Sequence, residues 1–345
     1  MNPIAQSMFL FSLAIGTTIT LFSHHWLLAW VGLEINTLAI IPMMTKMSHP
    51  RAIEAATKYF LMQAAASSLV LFSALMSAWG TGQWQMTMMS KPSSIVMTIA
   101  LATKLGLAPL HFWMPEVIQG IPLFTGLILS TWQKIAPMFI LLQMSEQVSI
   151  YLATSIGLVS IFIGGWGGIN QVQTRKIMAF SSIAQLGWMV LVLKLNTQLT
   201  QFTFIMYMFM TTATFLSLMV FSSTNMMEIS SSSMKTPVLT PMLMLTLLSL
   251  AGLPPLLGFA PKLLITLELT NQNLIILVPL ALLASLLALF FYLRLTYIMI
   301  MLTFPNTSIS SNQWYMPKKM NPFVSLFNTL SLLMLPMTPT MLLLM

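Results

Sequence analysis

The chain has 345 residues, 57% hydrophobic and only 6% charged, with a formal net charge of +8 and a mean hydropathy of +0.88. Such a chain is excluded from the soluble globular class and reads as an all-α polytopic membrane protein. It has no cysteine, and its six acidic residues are all Glu, which excludes disulfides, thiolate metal sites, and cysteine or aspartate nucleophiles.

Eleven transmembrane segments are expected along the chain, in one integral membrane domain covering 1–345. The first run, 3–22, lacks the basic region and cleavage site of a signal peptide and is kept as a membrane helix. Segment 25–45 carries Glu34 near its middle; segment 54–79 follows. Segment 93–120 is broken by Pro109 and Pro115 and holds Lys104, His111 and Glu116. Segment 123–143 places Lys134 about twelve residues in, and 148–170 contains GGWGG at 164–168, suited to close helix packing or a turn. Segments 174–195 and 200–223 precede a second broken segment, 236–270, with Pro254, Pro255, Pro261 and Lys262. Segment 274–301, a polar loop with Lys318 and Lys319, and 323–343 complete the chain. Continuous apolar runs of Leu, Met and Ala favour helices over the alternation of a barrel strand. The 33 methionines read as flexible apolar filler.

Basic residues sit singly and make no nucleic-acid patch. One side of the membrane collects Lys46, Arg51, Lys58, Arg175, Lys176, Lys235, Lys318 and Lys319, the other only Lys91 and Lys194. The positive-inside rule places the first side, and the N-terminus, inside. Eleven crossings put the C-terminus outside. Trp26, Trp79, Trp84 and Trp314 read as interfacial anchors, and His24 and His25 as residues of a membrane edge.

Residues 105–116 read LGLAPLHFWMPE and residues 251–262 read AGLPPLLGFAPK; at an offset of 146, five of twelve positions are identical. They fall in the fourth and ninth segments, five crossings apart, so their units have opposite orientations, the arrangement of inverted-repeat transporters with interrupted helices. Residues 1–145 and 146–301 are the expected repeats, with 302–345 a loop and extra helix. Proline removes an N–H and clashes with the carbonyl four residues back. Pro109 should free the carbonyl of Leu105, Pro115 that of His111, Pro254 and Pro255 those of Leu250 and Ala251, and Pro261 that of Leu257. Bare carbonyls cannot face lipid; plain packing kinks are the alternative.

Glu34, Lys104, Lys134 and Lys262 fall near mid-membrane depth, where a charge costs about 2.5–3.5 kcal/mol on insertion scales. From the bilayer centre a lysine would have to climb about 15 Å to reach water, so snorkelling explains Lys46, Lys58, Lys91 and Lys194 but not Lys104 or Lys134. Structural pairing with Glu34 would satisfy one lysine only. A lysine in low dielectric can lose and regain a proton, and a nearby carboxylate opposes the loss. The four residues thus read as a proton relay, with His111 as a further imidazole or a structural histidine, and Glu116 as a second-tier site. Oxygen cages for Na⁺ are poorly represented. There is no haem-ligand pair, iron–sulfur set, flavin or nucleotide fingerprint, so no cofactor or metal site is expected in this chain.

The stretches WVGLEINTLAIIP (30–42), EAATKYFLMQA (54–64), LGLAPLHFWMPEV (105–117), TWQKIAP (131–137), RKIMAFSSIAQLGW (175–188) and GLPPLLGFAPK (252–262) resemble the antiporter-like membrane subunits of respiratory complex I, NADH:ubiquinone oxidoreductase. The likeness runs along the whole chain, including its MNP start, and the Met-rich, Cys-free composition is similar to proteins encoded in animal mitochondrial DNA. The resemblance implies proton translocation driven by quinone reduction elsewhere, with a glutamate (Glu34) paired to a lysine on a broken helix (Lys104), a central lysine (Lys134) and a lysine on the second broken helix (Lys262). It implies two inverted five-helix repeats plus an extra helix, an animal form lacking the first three bacterial helices, and the mitochondrial inner membrane. NADH, FMN, iron–sulfur clusters and ubiquinone would belong to other subunits. Its partners would be membrane-arm neighbours, including other antiporter-like subunits, accessory subunits and phospholipids. A structural subunit without its own proton path and a free-standing cation/proton antiporter are the alternatives.

Overall fold

The structure, a computed structural model, describes residues 3–46, 49–86, 88–233, 238–301 and 322–344. Lys235, Lys318, Lys319 and Trp314, which bear on the sidedness and anchoring expected above, lie outside the described residues, as does loop 302–321.

Among the described residues the regular structure is helical. Helices α1 (Pro3–Phe22), α2 (Trp26–Met44) and α3 (Pro50–Thr81) start the chain. Twenty residues at 1.5 Å each give α1 a length of about 30 Å, one hydrocarbon thickness. The side chain of His25 accepts a hydrogen bond from Leu27 N at 3.3 Å, and that of His49 one from Arg51 N at 3.2 Å, so histidines take the N-cap role of α2 and α3. The first broken segment is α4 (Lys91–Leu105) and α5 (Trp113–Gly120); α6 (Leu123–Ser130) and α7 (Trp132–Gln143) follow. Then come α8 (Ile150–Ile169), α9 (Thr174–Val192), α10 (Thr197–Phe221) and α11 (Met226–Ser233). The second broken segment is α12 (Leu239–Ala251) and α13 (Phe259–Asn271). Helices α14 (Leu277–Met301), α15 (Pro322–Leu333) and α16 (Thr338–Leu344) complete the described chain.

Seven helical spans among the described residues are long and apolar enough to cross a membrane, and an eighth is added if the pair 322–333 and 335–343, bent by 61°, counts as one. The expectation of eleven exceeds this number because the two broken segments consist of pieces too short to qualify. Helix α9, with Arg175 and Lys176 in its first turn, is not in the set either.

The chain divides into two compact units, one of residues 1–160 with 186–197 and the other of 161–185 with 198–345. In the first, α1 packs on α2, α3 lies against α2, α4 and α5, and α7 contacts α1, α2, α4 and α6. The approach of α1 to α2 requires glycine on both sides: a Cβ on Gly16 would come 2.4 Å from Asn36 Oδ1, and one on Gly32 2.6 Å from Thr20 Cγ2. Trp26, expected at the interface, is instead 1% exposed, whereas Trp79 is 91% exposed. In the second unit, GGWGG forms no turn but lies inside α8. Built Cβ atoms on Gly164 and Gly167 would meet Ala184 and Phe180 of α9, and those on Gly165 and Gly168 would meet Leu287 and Phe291 of α14.

Candidate functional site

Both broken segments end their first half in the same way. Gly106 adopts φ 76°; its N–H bonds Thr103 O at 3.1 Å and the next N–H, of Leu107, bonds Ala102 O at 2.9 Å. Gly252 adopts φ 85°; its N–H bonds Ser249 O at 3.0 Å and Leu253 N bonds Leu248 O at 3.4 Å. Each is a Schellman closure, which needs a left-handed residue and so favours glycine, and the two lie 146 residues apart as the sequence repeat does.

The prolines divide into two kinds. Pro109, Pro254 and Pro255 lie in the connections, as expected of breakers. Pro115 and Pro261 are instead the third residues of α5 and α13. A first-turn N–H has no intrahelical acceptor, so proline is tolerated there. The expectation that Pro115 bares His111 O is corrected: that carbonyl accepts from Met114 N at 3.1 Å.

Lys104 occupies the last turn of α4, the negative end of the helix dipole. It is 6% exposed and no protein group among the described residues hydrogen-bonds its Nζ. Gln63 Nε2 of α3 donates to Lys104 O at 3.4 Å, and Trp113 Nε1 donates to Thr103 O at 3.1 Å, so carbonyls of the last α4 turn are held by side chains of α3 and α5.

Lys134 lies in the third position of α7, because segment 123–143 is interrupted at Thr131, where φ is −113° and ψ −75°. It is 3% exposed. Lys104 and Lys134 line one internal cavity together with Asn36, Thr37, Tyr59, Gln63, Trp113 and Gln133, with about 20 Å³ of room for water centres. Glu34 is half-buried on α2. Its Oε2 accepts from Thr37 Oγ1 at 3.2 Å, and the ion pairs within 4.0 Å among the described residues do not include it.

At the second break, Lys262 reaches back from the first turn of α13 and its Nζ donates to Ala251 O at 2.6 Å. Gln185 Nε2 of α9 donates to Leu250 O at 2.9 Å. Leu250 and Ala251 are the residues whose carbonyls Pro254 and Pro255 should free, so both have found side-chain donors. Lys104 and Lys262 are not equivalent in the repeat, yet Lys262 Nζ comes to the last turn of α12, as Lys104 belongs to the last turn of α4.

His111, 5% exposed, lies inside the first break with Nδ1 3.2 Å from Pro109 O and its ring 4.4 Å from that of Phe112. Glu116 is kept out of the cavity. It is exposed on the first turn of α5 and pairs with Lys58 Nζ at 2.7 Å, which also pairs with Glu54 at 2.6 Å. Lys58, expected to snorkel alone, is thus shared by two carboxylates. Sequence reasoning overlooked Asn36, Gln63, Gln133 and Gln185. A signal was present, since amides are costly in apolar helices, but charge drew attention first. It also overlooked Arg294, whose guanidinium donates to Ile169 O at 2.8 Å.

Interrupted helices with lysines at their breaks, in an almost chargeless helical protein, define a polytopic membrane protein of the transporter class. The family model for the transmembrane region of NADH:quinone oxidoreductase and Mrp antiporters matches residues 23–288, and that for the NADH dehydrogenase subunit 2 C-terminus matches 289–342. The chain belongs to this NADH:quinone oxidoreductase/Mrp antiporter membrane family. It is 60% identical to the NADH-ubiquinone oxidoreductase chain 2 of Aquarana catesbeiana over 100% of both chains. It is 52% identical to that of Struthio camelus over 99% of both. Among solved structures it is similar to a chain of the respiratory complex I of Thermus thermophilus, with a TM-score of 0.84 and 26% identity over 97% of this chain and 80% of that one. A chain of the Mrp complex of Dietzia sp. shares the fold, with a TM-score of 0.73 and 17% identity over 82% and 58% of the two chains.

Proposed function

We infer that the chain is a membrane-arm, proton-translocating subunit of NADH-ubiquinone oxidoreductase, and that protons cross it through Glu34, Lys104, Lys134 and Lys262. Full-length relatives carrying that name support the first part. The second rests on one observation: two lysines of an otherwise apolar protein, 6% and 3% exposed, line a single cavity with amide and hydroxyl side chains. Burying an ammonium is costly, and two lining one cavity is an arrangement that helix packing alone does not require.

In this reading Glu34 biases Lys104 through its field, Lys104 and Lys134 exchange a proton across their shared cavity, and Lys262 serves the second broken segment. A proton leaving one ammonium is taken up by a neighbouring neutral amine, directly or through a water that passes on one of its own, so charge moves while the chain keeps its net protonation. His111 has the ring and burial for an accessory role at the first break. We place eleven crossings in the bilayer, counting each broken segment, α9 and the bent C-terminal pair as one crossing each, with inverted repeats 1–145 and 146–301. The N-terminus is placed in the matrix and the C-terminus in the intermembrane space of the mitochondrial inner membrane. The quinone, flavin and iron–sulfur chemistry is assigned to partner subunits, with other antiporter-like subunits, accessory subunits and phospholipids around this one. Lys134→Met tests the relay: the assembled complex should oxidise NADH with fewer protons pumped per NADH. Unchanged stoichiometry would reject it.

A further inference from the structure

We propose that the Asn36 carboxamide holds one water molecule against the Lys104 ammonium, which makes Asn36 a positioning residue of the relay. The inference rests on the relay reading of Lys104 and adds a residue to it.

Asn36 lies on α2, 2% exposed, and neither Oδ1 nor Nδ2 has a hydrogen-bond partner among the described residues. Lys104 Nζ is in the same condition. Both residues line the cavity described above, whose 20 Å³ of room suits one water, since a water site takes roughly 10–15 Å³ in this measure and two to four polar partners. Buried polar groups without partners are rare and strongly unfavourable, and three such atoms on two residues of one cavity point to a shared partner. A water oxygen can accept from Lys104 Nζ–H and Asn36 Nδ2–H together. Its own hydrogens are then free for the oxygens of Tyr59 or Gln63, which line the same space. Turned over, the amide accepts from the water through Oδ1 instead.

The amide is also closely packed. A Cβ on Gly16 would come 2.4 Å from Asn36 Oδ1, so the side chain abuts the α1 backbone, and Asn36 O accepts from Gln133 Nε2 at 3.0 Å, beside Lys134. A proton passing from Nζ to the water, as the water releases one of its own, conserves atoms and charge. Among the described residues, the titratable groups lining the cavity with the amide are Tyr59 on α3, Lys104 on α4 and Lys134 on α7, while Glu34 lies two residues before Asn36 on its own helix.

The test uses the whole respiratory complex carrying Asn36→Leu, which keeps the branched shape and removes the amide. A high-resolution map of the parent complex should show a water within hydrogen-bond distance of both side chains. The variant should assemble, lack that water and pump fewer protons per NADH. Asn36→Ser, with room for a second water, should restore pumping, which a purely structural defect would not. No water in the parent map, or parental stoichiometry in Asn36→Leu, overturns the proposal. If Asn36→Leu fails to assemble, Asn36→Ser decides: normal pumping with a second water supports it, and normal pumping without one overturns it. Lys104→Met separates the two levels. Normal pumping there defeats the relay itself, whereas defective Lys104→Met beside normal Asn36→Leu defeats only the role of Asn36.

Discussion

Replacing Lys104 by methionine separates a proton-carrying lysine from one that merely joins helices. Among the described residues, the change removes no hydrogen bond of Nζ to a protein group and breaks no ion pair within 4.0 Å. The contact from Gln63 goes to the Lys104 backbone and survives. Glu34 keeps Thr37 and stays half-buried, so it is not left as an isolated interior charge. On the favourable side, the cost of a mid-membrane lysine, about 2.5–3.5 kcal/mol, is relieved. Repacking with a side chain of similar volume costs less than about 1.5 kcal/mol. The difference is about 1–3.5 kcal/mol in favour of the variant. The complex should therefore appear on a native gel in parental amount while its protons pumped per NADH, measured in sealed vesicles, fall. Absence of the assembled complex would show that the Lys104 side chain itself holds the fold together. Normal pumping would show that the proton goes elsewhere.

Gly252→Ala places a Cβ at φ 85°, 2.9 Å from Lys262 Cδ and 3.0 Å from its Nζ. Left-handed strain of about 1–2 kcal/mol and displacement of the ammonium should lower both the thermal midpoint and pumping, whereas Gly80→Ala, with open space around it, should change neither. Glu116→Gln loses one of two exposed partners of Lys58; screened surface pairs contribute little, so the midpoint and turnover should stay at parental values, and a clear loss of pumping would bring Glu116 into the path. The Glu228 carboxyl is held below its ordinary value of 4.5, chiefly by the Thr224 N–H and hydroxyl and then by Asn225. Being lowered on folding, it stabilises its turn fully above pH 4.5 and loses that contribution as pH falls through the folded value. Hydrogen exchange at Thr224 and Asn225, corrected for intrinsic rates, should quicken on acidification in the parent and be fast and pH-insensitive in Glu228→Gln.

Charge and periodicity made much of this protein legible. The breakers Pro109, Pro254 and Pro255 could be read because proline acts locally, and the closures at Gly106 and Gly252 follow the repeated motif. Lys104 and Lys134 could be read as buried because insertion cost depends on depth alone. What escaped was set by tertiary contact. The interruption at Thr131 has no proline or glycine to signal it, and Pro115 and Pro261 look like breakers until a helix is seen to begin two residues before them. The pairing of Glu116 with Lys58 depends on a neighbour 58 residues away in the chain. The reach of Lys262 to Ala251 depends on how a seven-residue connection, 252–258, folds back.

The glycines of α8 carry a consequence for tolerance in positioning. Gly164 and Gly167 bring the α8 backbone against Ala184 and Phe180 of α9, and the next residue of α9 is Gln185, whose amide holds Leu250 O. A helix seated on bare backbone has no rotamers through which to yield, so its distance from its neighbour is nearly fixed by covalent geometry. The backbone of Gln185 is therefore placed like a fixed stop rather than a spring. Slack between it and the carbonyl beside the one that holds Lys262 is left to the Gln185 side chain alone.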